Sequence, residues 1–259
     1  MARILVVENG SGDDSGERLR VVVRQWENVE LLESEVNRGY FGAANWALQQ
    51  NLLGKSMPEW VIVCNNDITF EDRRFLVRLF QRDPKISQVI APAIIAQQTG
   101  ADCNPFLRER PSHFQLLRYQ FWQSNYYLMW FKQWLSPYVR TVRHRMSLRR
   151  VNSKLAGPSA VYAPHGAFLI FSRAYFEVGG YIDDGFFLYA EEFSVAEICR
   201  NLNLRVVHDP ELRVLHNAHR VTGRMCNRES FRQGRNGFEY ALRKYFFPPN
   251  PRNSQQLPE

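Results

Sequence analysis

Residues 59–67 read EWVIVCNND: Glu59, four apolar residues from Trp60 to Val63, Cys64, then Asn65, Asn66 and Asp67. Pro58 precedes the run. An apolar, β-branched run of this length, entered by proline and left by Asn-Asn-Asp, reads as a buried strand opening into a polar turn. Strands covered on both faces look like this in parallel sheets, and ligands of open α/β sheets gather beyond strand carboxyl ends. Two amides and a carboxylate therefore stand where a hard cation or a phosphate would be held. The competing reading is that Asn-Asn-Asp turns the chain and caps a helix starting near Glu71. This stretch alone leaves both open.

Upstream, Ile4 to Val7 is a short apolar run ending in Glu8-Asn9-Gly10-Ser11, a strand delivered into a Gly/Ser/Asp-rich turn. Residues 17–26 suit a short helix or an extended piece equally. Val29 to Leu32 reads as a second strand, and Ala43 to Leu53 has the Ala/Leu/Gln content of a helix. Downstream, the spacing predicts a helix from Glu71 to Gln81, with Phe75, Leu76, Leu79 and Phe80 on one stripe, and then a strand at Ser87 to Ile95. After Gly157-Pro158 come a strand at Ala167 to Phe171, a helix at Glu191 to Asn201, and separate strands at Arg205 to His208 and Val214 to His216. This alternation predicts an α/β fold with a mostly parallel central sheet and flanking helices.

The chain has 259 residues and a net charge of +7, which favours anionic partners. Its four cysteines are widely spaced, which fits a reducing compartment and argues against a disulfide framework or a zinc site. No apolar run approaches the ~20 residues of a spanning helix, so a soluble or peripheral protein is expected. The charge is concentrated: residues 105–155 hold ten Lys/Arg against one acid, Glu109, interleaved with Trp, Tyr and Phe. Such a segment suits an anionic bilayer surface, single-stranded nucleic acid, or a helical insertion that packs its aromatics on the main domain. The expected divisions are 1–104, the basic aromatic insertion 105–155, 156–247, and a disordered tail 248–259.

Four polar clusters carry the chemistry: Glu8, Asn9, Ser11 and Asp13; Asn37, Gly39 and Asn45; Asn65, Asn66 and Asp67; and Glu191-Glu192 with His216 and His219 later. One acid beside amide oxygens is a poor zinc site. It suits Mg²⁺ or Mn²⁺ already chelated by a diphosphate.

In this order the clusters resemble the inverting family 2 glycosyltransferases of the GT-A (nucleotide-diphospho-sugar transferase) fold, especially bacterial polysaccharide and rhamnosyl-type transferases. VVENGSGDDS (6–15) is similar to that family's VVDNGSxDGS, and NRGYFGAANWAL (37–48) to its NxGFAGGNNxGI. CNNDI (64–68) takes the place of its DxD-type motif. HGAFLIFSRAYFEVGGYIDDGFFLYAEEF (165–193) and RVVHDPELRVLH (205–216) resemble its two later motifs. The resemblance covers nearly all of the chain outside 100–155. The chain opens at the equivalent of the family's second strand, so either the true start lies upstream or the first strand and helix are missing.

The resemblance implies roles. Glu8, Asn9, Ser11, Asn37, Gly39, Asn45, Asn65 and Asn66 would bind the nucleotide-sugar. Asp67, with His216, would hold the metal. His165, Gly166, Ala167, Asp183 and Asp184 would shape the sugar and acceptor pocket. Glu192, beside Glu191, falls where the family has its general base. The implied activity moves a sugar from a UDP- or dTDP-sugar to a lipid-linked or polysaccharide acceptor, with inversion. The implied location is cytoplasmic, at the inner face of a bacterial membrane, with no nucleic-acid partner. Glu8, Asn65 and Glu192 each replace an Asp of the family pattern. Those departures and the short start leave an alternative, a catalytically silent relative that binds nucleotide or glycan.

Overall fold

The computed structural model describes residues 2–52, 56–132, 157–217 and 227–248. His219, Cys226, the tail beyond Pro248 and residues 133–155 of the basic insertion lie outside them. Strand β1 (Ile4–Asn9) leads through helix α1 (Ser15–Val23) to β2 (Val29–Ser34), and the two strands pair in parallel. Helix α2 (Tyr40–Leu52) follows, then β3 (Trp60–Cys64), the two-residue β4 (Ile68–Thr69), α3 (Phe75–Leu79) and β5 (Val89–Ala96). Helix α4 (His113–Gln123) lies in the insertion, and residues 126–132 are also helical. Then come β6 (Ser159–Val161), β7 (Phe168–Ser172), α5 (Arg173–Glu177), α6 (Glu191–Asn201), β8 (Val206–His216) and α7 (Arg228–Ala241), which ends in a π-turn, Leu242–Phe246.

The main sheet has the order β3-β7-β5-β8-β4, with β6 also on β8. It is mixed where the sequence predicted a mostly parallel one. β5 and β8 are parallel, but β7 runs antiparallel between β3 and β5, and β4 and β6 are antiparallel to β8. A strand covered on both faces is apolar whichever way its neighbours run, so the pattern of residues 60–64 could not report direction. Alternation along β7 divides the core. Leu169 and Phe171 face one apolar cluster with Phe41, Val89 and Val195, while Phe168 and Ile170 face another with Phe75, Leu79 and Ile94.

The two strands predicted at 205–208 and 214–216 are one. Its register against β5 shifts between Pro92 and Ala93, whose partners are Asp209 and Arg213. Pro210 lies in the extra residues, where its missing N–H costs no ladder bond. The helix predicted over 71–81 shortens to α3, which buries Phe75 and Leu79 and leaves Leu76 and Phe80 exposed.

The described ends of the insertion meet. Leu107 and Ala163 form an antiparallel bridge, each amide reaching the other's carbonyl, at 3.2 and 2.9 Å. Arg110 then grips the buried Glu197 of α6 at 2.7 and 3.2 Å. Helix α4 opens with a capping box, Ser112 with Gln115. It buries Leu116 among Phe186, Phe193, Phe238 and Leu242. Phe114, Leu117 and Phe121 stay exposed.

Candidate active site

The first two polar clusters are stitched together by Asn9. Its Nδ2 donates to Asn37 Oδ1 and to the Gly39 carbonyl, each at 3.1 Å, and its Oδ1 accepts from the Arg38 amide at 3.0 Å. Glu8 closes the turn after β1 by accepting from the amides of Ser11 at 2.7 Å and Gly10 at 3.2 Å. Ser11 holds the Glu8 carboxyl below its usual range. Gly39 has φ +72°, and a Cβ there would fall 2.1 Å from the Phe187 carbonyl oxygen. The next amide, of Tyr40, donates to that same oxygen at 2.9 Å. The loop of the second cluster is thus docked on the segment leading to Glu191-Glu192.

Tyr40 carries the connection inward. Its hydroxyl donates to the Gly166 carbonyl at 2.8 Å, and the Gly166 amide donates to Glu192 Oε1 at 3.1 Å. Burial, then the nearby Cys64, Glu191, Glu192 and Asp67, push the Tyr40 hydroxyl's pKa up, so it remains a donor. Tyr40 lies within the motif NRGYFGAANWAL (37–48), from which only Asn37, Gly39 and Asn45 were selected. Glu191 is buried, and its Oε1 has no hydrogen-bond partner. Burial first and the Glu192 charge second push it up to about 8. Glu192 is half-buried; burial raises its pKa against the opposing Gly166 bond.

On the other side of Gly166 stands the third cluster. The Asn65 amide donates to the Ala167 carbonyl at 2.9 Å, while Asn66 is exposed. Pairing of Ile68 with His216 brings Asp67 Oδ1 within 3.3 Å of His216 Nε2. That contact lacks hydrogen-bond geometry, and Asp67 Oδ1 is buried without a partner. The helix-capping reading of Asn-Asn-Asp does not hold: α3 starts only at Phe75, after Asp72 has accepted from the Arg74 amide at 2.8 Å.

The His165 ring lies 6.0 Å from that of His216. Burial, then His216, push His165 down to about 4, and its Nδ1 accepts from the Ala167 amide at 3.1 Å. His165 is therefore neutral, with its proton on Nε2. Asn104 sets its backbone: Oδ1 accepts from the His165 amide and Nδ2 donates to the Pro92 carbonyl, both at 2.7 Å. No motif marked Asn104. It is a long-range contact at the edge of a composition change.

The remaining expected residues separate. Asp184 accepts from Asn45 Nδ2 at 3.0 Å, beside the second cluster. Asp183 is buried and held by α7 and its π-turn, through Tyr240 and Lys244 at 3.0 Å each. Its carboxylate is taken up by these partners. Among the described residues, no group of three or more His, Cys, Asp or Glu side chains is arranged around a metal position. Asp67 and His216 are a pair. An unpartnered buried carboxylate oxygen beside an imidazole fits a cation that brings its remaining ligands with it.

No family model matches the chain. It is 25% identical over 233 residues to the N-acetylglucosaminyl-diphospho-decaprenol L-rhamnosyltransferase of Mycobacterium tuberculosis, in two strains, covering 85% of this chain and 68% of that protein. Among solved structures, GalNAc-T7 with UDP, GalNAc and Mn²⁺ superposes with a TM-score of 0.57 at 16% identity, over 99% of this chain. The chain spans 45% of that structure's length.

Proposed function

We propose that this chain, a GT-A transferase of the family 2 type, moves a sugar from a UDP- or dTDP-sugar to a lipid-linked or polysaccharide acceptor with inversion. The observation that carries the reading is the chain of contacts Tyr40–Gly166–Glu192. It hangs a carboxylate of raised pKa beside the loop that joins the Asn9 and Asn37 clusters, with Asp67 and His216 across the same peptide. The lipid-linked acceptor rests on the rhamnosyltransferase relative, whose name specifies one.

In this mechanism Glu192 takes the acceptor hydroxyl's proton while that oxygen attacks the anomeric carbon. The bond from that carbon to the diphosphate breaks, and the nucleoside diphosphate leaves with the electron pair. Neutral His165 presents Nε2–H as an uncharged donor beside the metal pair. Asp67 and His216 would hold Mg²⁺ or Mn²⁺, which would supply positive charge against the departing diphosphate. Asn104 and Tyr40 hold the 165–167 peptide at the His165 amide and the Gly166 carbonyl. Glu191, buried beside Glu192 and itself raised in pKa, adds to the low-polarity surroundings that keep this pair of acids proton-binding.

The insertion would place this site against an anionic bilayer. Phe114, Leu117 and Phe121 recur at helical spacing on the outer side of α4, 73%, 55% and 58% exposed, with Arg118 among them. Among the described residues no helix is long and apolar enough to cross a membrane.

The test is a panel of UDP- and dTDP-sugars with Mg²⁺ or Mn²⁺, following nucleoside diphosphate release. Turnover should fall by about 10²–10⁴-fold in Glu192→Gln and be lost in Asp67→Ala. Full turnover in both variants would remove their assigned roles. Nucleotide binding by calorimetry with no turnover across the panel would favour the silent relative, a reading supported by the presence of Asn65 where a second acid would stand.

A further inference from the structure

Asp183 lies close before Glu192 in sequence, yet its carboxylate is only 2% exposed and turned towards the C-terminal elements. It accepts from the Gly185 amide at 3.2 Å, from Tyr240 Oη and Lys244 Nζ at 3.0 Å each, and from Tyr245 Oη. Lys244 Nζ also donates to Tyr240 Oη at 2.9 Å and sits over the rings of Tyr181, Tyr240 and Tyr245. Partial burial opposes its charge, but the bonds to Tyr240 and Asp183 raise its pKa above the ordinary lysine value.

The same elements press on the segment at two further points. A Cβ on Gly185 would lie 2.1 Å from Tyr240 Oη, and one on Gly237 would lie 2.3 Å from the Tyr189 carbonyl oxygen. Between these contacts the backbone is strained. Tyr189 and Ala190 are both left-handed, at φ 69° and 70°, although neither is glycine. Glu191 and Glu192 follow at once. An ion pair with one buried partner is a poor source of stability compared with an apolar contact, but it does fix a geometry. Apolar packing already joins α7 to this region through Phe186, Phe193 and Phe238. The polar grip therefore has a different consequence.

We infer that Lys244, Tyr240 and Tyr245 are positioning residues for the transfer: by gripping Asp183 they hold residues 183–190 on the strained path that presents Glu192 to Gly166. This rests on the glycosyltransferase reading above for its catalytic meaning, though not for its geometry. Lys244 touches neither the nucleotide cradle nor Gly166; it acts through the Asp183 segment. Removing its charge lets the left-handed pair relax and the base swing from its place. Donor binding should fall less than kcat, because Asn9 holds the Asn37–Gly39 loop from β1 independently of residues 183–190.

The experiment compares Lys244→Met and Lys244→Arg with the wild-type chain. For the UDP- or dTDP-sugar that the wild-type protein turns over, kcat in Lys244→Met should fall about a hundredfold, the loss expected for a misplaced reacting group. Donor KM should stay within roughly threefold, and Lys244→Arg should recover most of kcat. A second readout needs no turnover: carboxyl-¹³C glutamate NMR, assigned with Glu191→Gln and Glu192→Gln. The raised titration midpoints of these two groups should move towards the ordinary glutamate value in Lys244→Met. Wild-type kcat with unmoved midpoints would overturn the inference, as would a loss confined to melting temperature. If the wild-type protein turns over no donor, the transferase assignment fails by itself, and the midpoints still decide the clamp. If Lys244→Met loses its cooperative melt, Tyr245→Phe, which deletes one bond and keeps the ring, is judged by the same two readouts.

Discussion

At the first turn of α6, Glu191 is buried with one oxygen unpartnered, while its neighbour Glu192 accepts from the Gly166 amide. Their amide variants should therefore behave differently. Glutamine mimics the protonated acid, so Glu191→Gln should retain most turnover where Glu192→Gln loses it. The pH dependence of stability follows from the same environment. Glu191 titrates at about 8 in the folded chain against 4.5 ordinarily, so the folded state keeps a proton that the unfolded chain releases. That stabilisation is complete below pH 4.5 and is lost as pH rises towards 8, by at most about 1.4 kcal/mol per pH unit. His165, pushed down from 6.5 to about 4, acts oppositely, and its stabilisation is lost as pH falls below 6.5. The clean window is therefore pH 6.5–8. Melting temperature should decline across it in the wild-type chain and decline less in Glu191→Gln; parallel curves would refute the buried-acid account. None of this was legible from residue type. By residue type Glu191-Glu192 are two first-turn acids; the family resemblance singled out Glu192, and the approach of Gly166 and the burial of Glu191 show how their surroundings differ.

At the scale of elements, the apolar runs announced their strands because burial on both faces leaves a local mark. Residues 60–64, 89–95 and 168–171 were readable for that reason. Which strand lies beside which left no such mark, and β7 entered the sheet antiparallel. The gathering of the polar clusters was legible as a pattern of motifs, but the pieces that hold them together were not. Tyr40, Asn104 and Lys244 act on partners far along the chain, at Gly166, His165 and Asp183. The junction of the 37–40 loop with Phe187 offers a test at this scale. Gly39→Ala adds a Cβ where the backbone is left-handed and the Phe187 carbonyl is 2.1 Å away. It should destabilise the fold by about 1–3 kcal/mol. Calorimetry should also show weaker nucleotide binding, because Asn9 and Asn37 are aligned through this loop. A variant with wild-type melting and nucleotide affinity would mean that the loop repacks freely.

For the molecule as a whole, positive charge is concentrated on the insertion, which holds more of it than the entire chain nets and carries exposed aromatics such as Phe114 and Phe121 beside it. The chain should therefore sediment with phosphatidylglycerol vesicles at low salt, weakly with neutral ones, and less as salt screens the attraction. Replacing Phe114 and Phe121 together with serine should cut vesicle affinity at least roughly tenfold, as loss of two inserted rings implies. Equal binding by the double variant would remove α4 from the interface, and retention on RNA instead of vesicles would favour a nucleic-acid partner. The neck of the insertion bears on more than membrane contact. Leu107 and Ala163 lie side by side, and Arg110 is anchored on Glu197. Whatever sequence runs between them enters and leaves at one fixed doorway. A change confined to the part of that segment beyond α4 should therefore leave both anchors, and helix α6 that carries Glu191 and Glu192, where they stand.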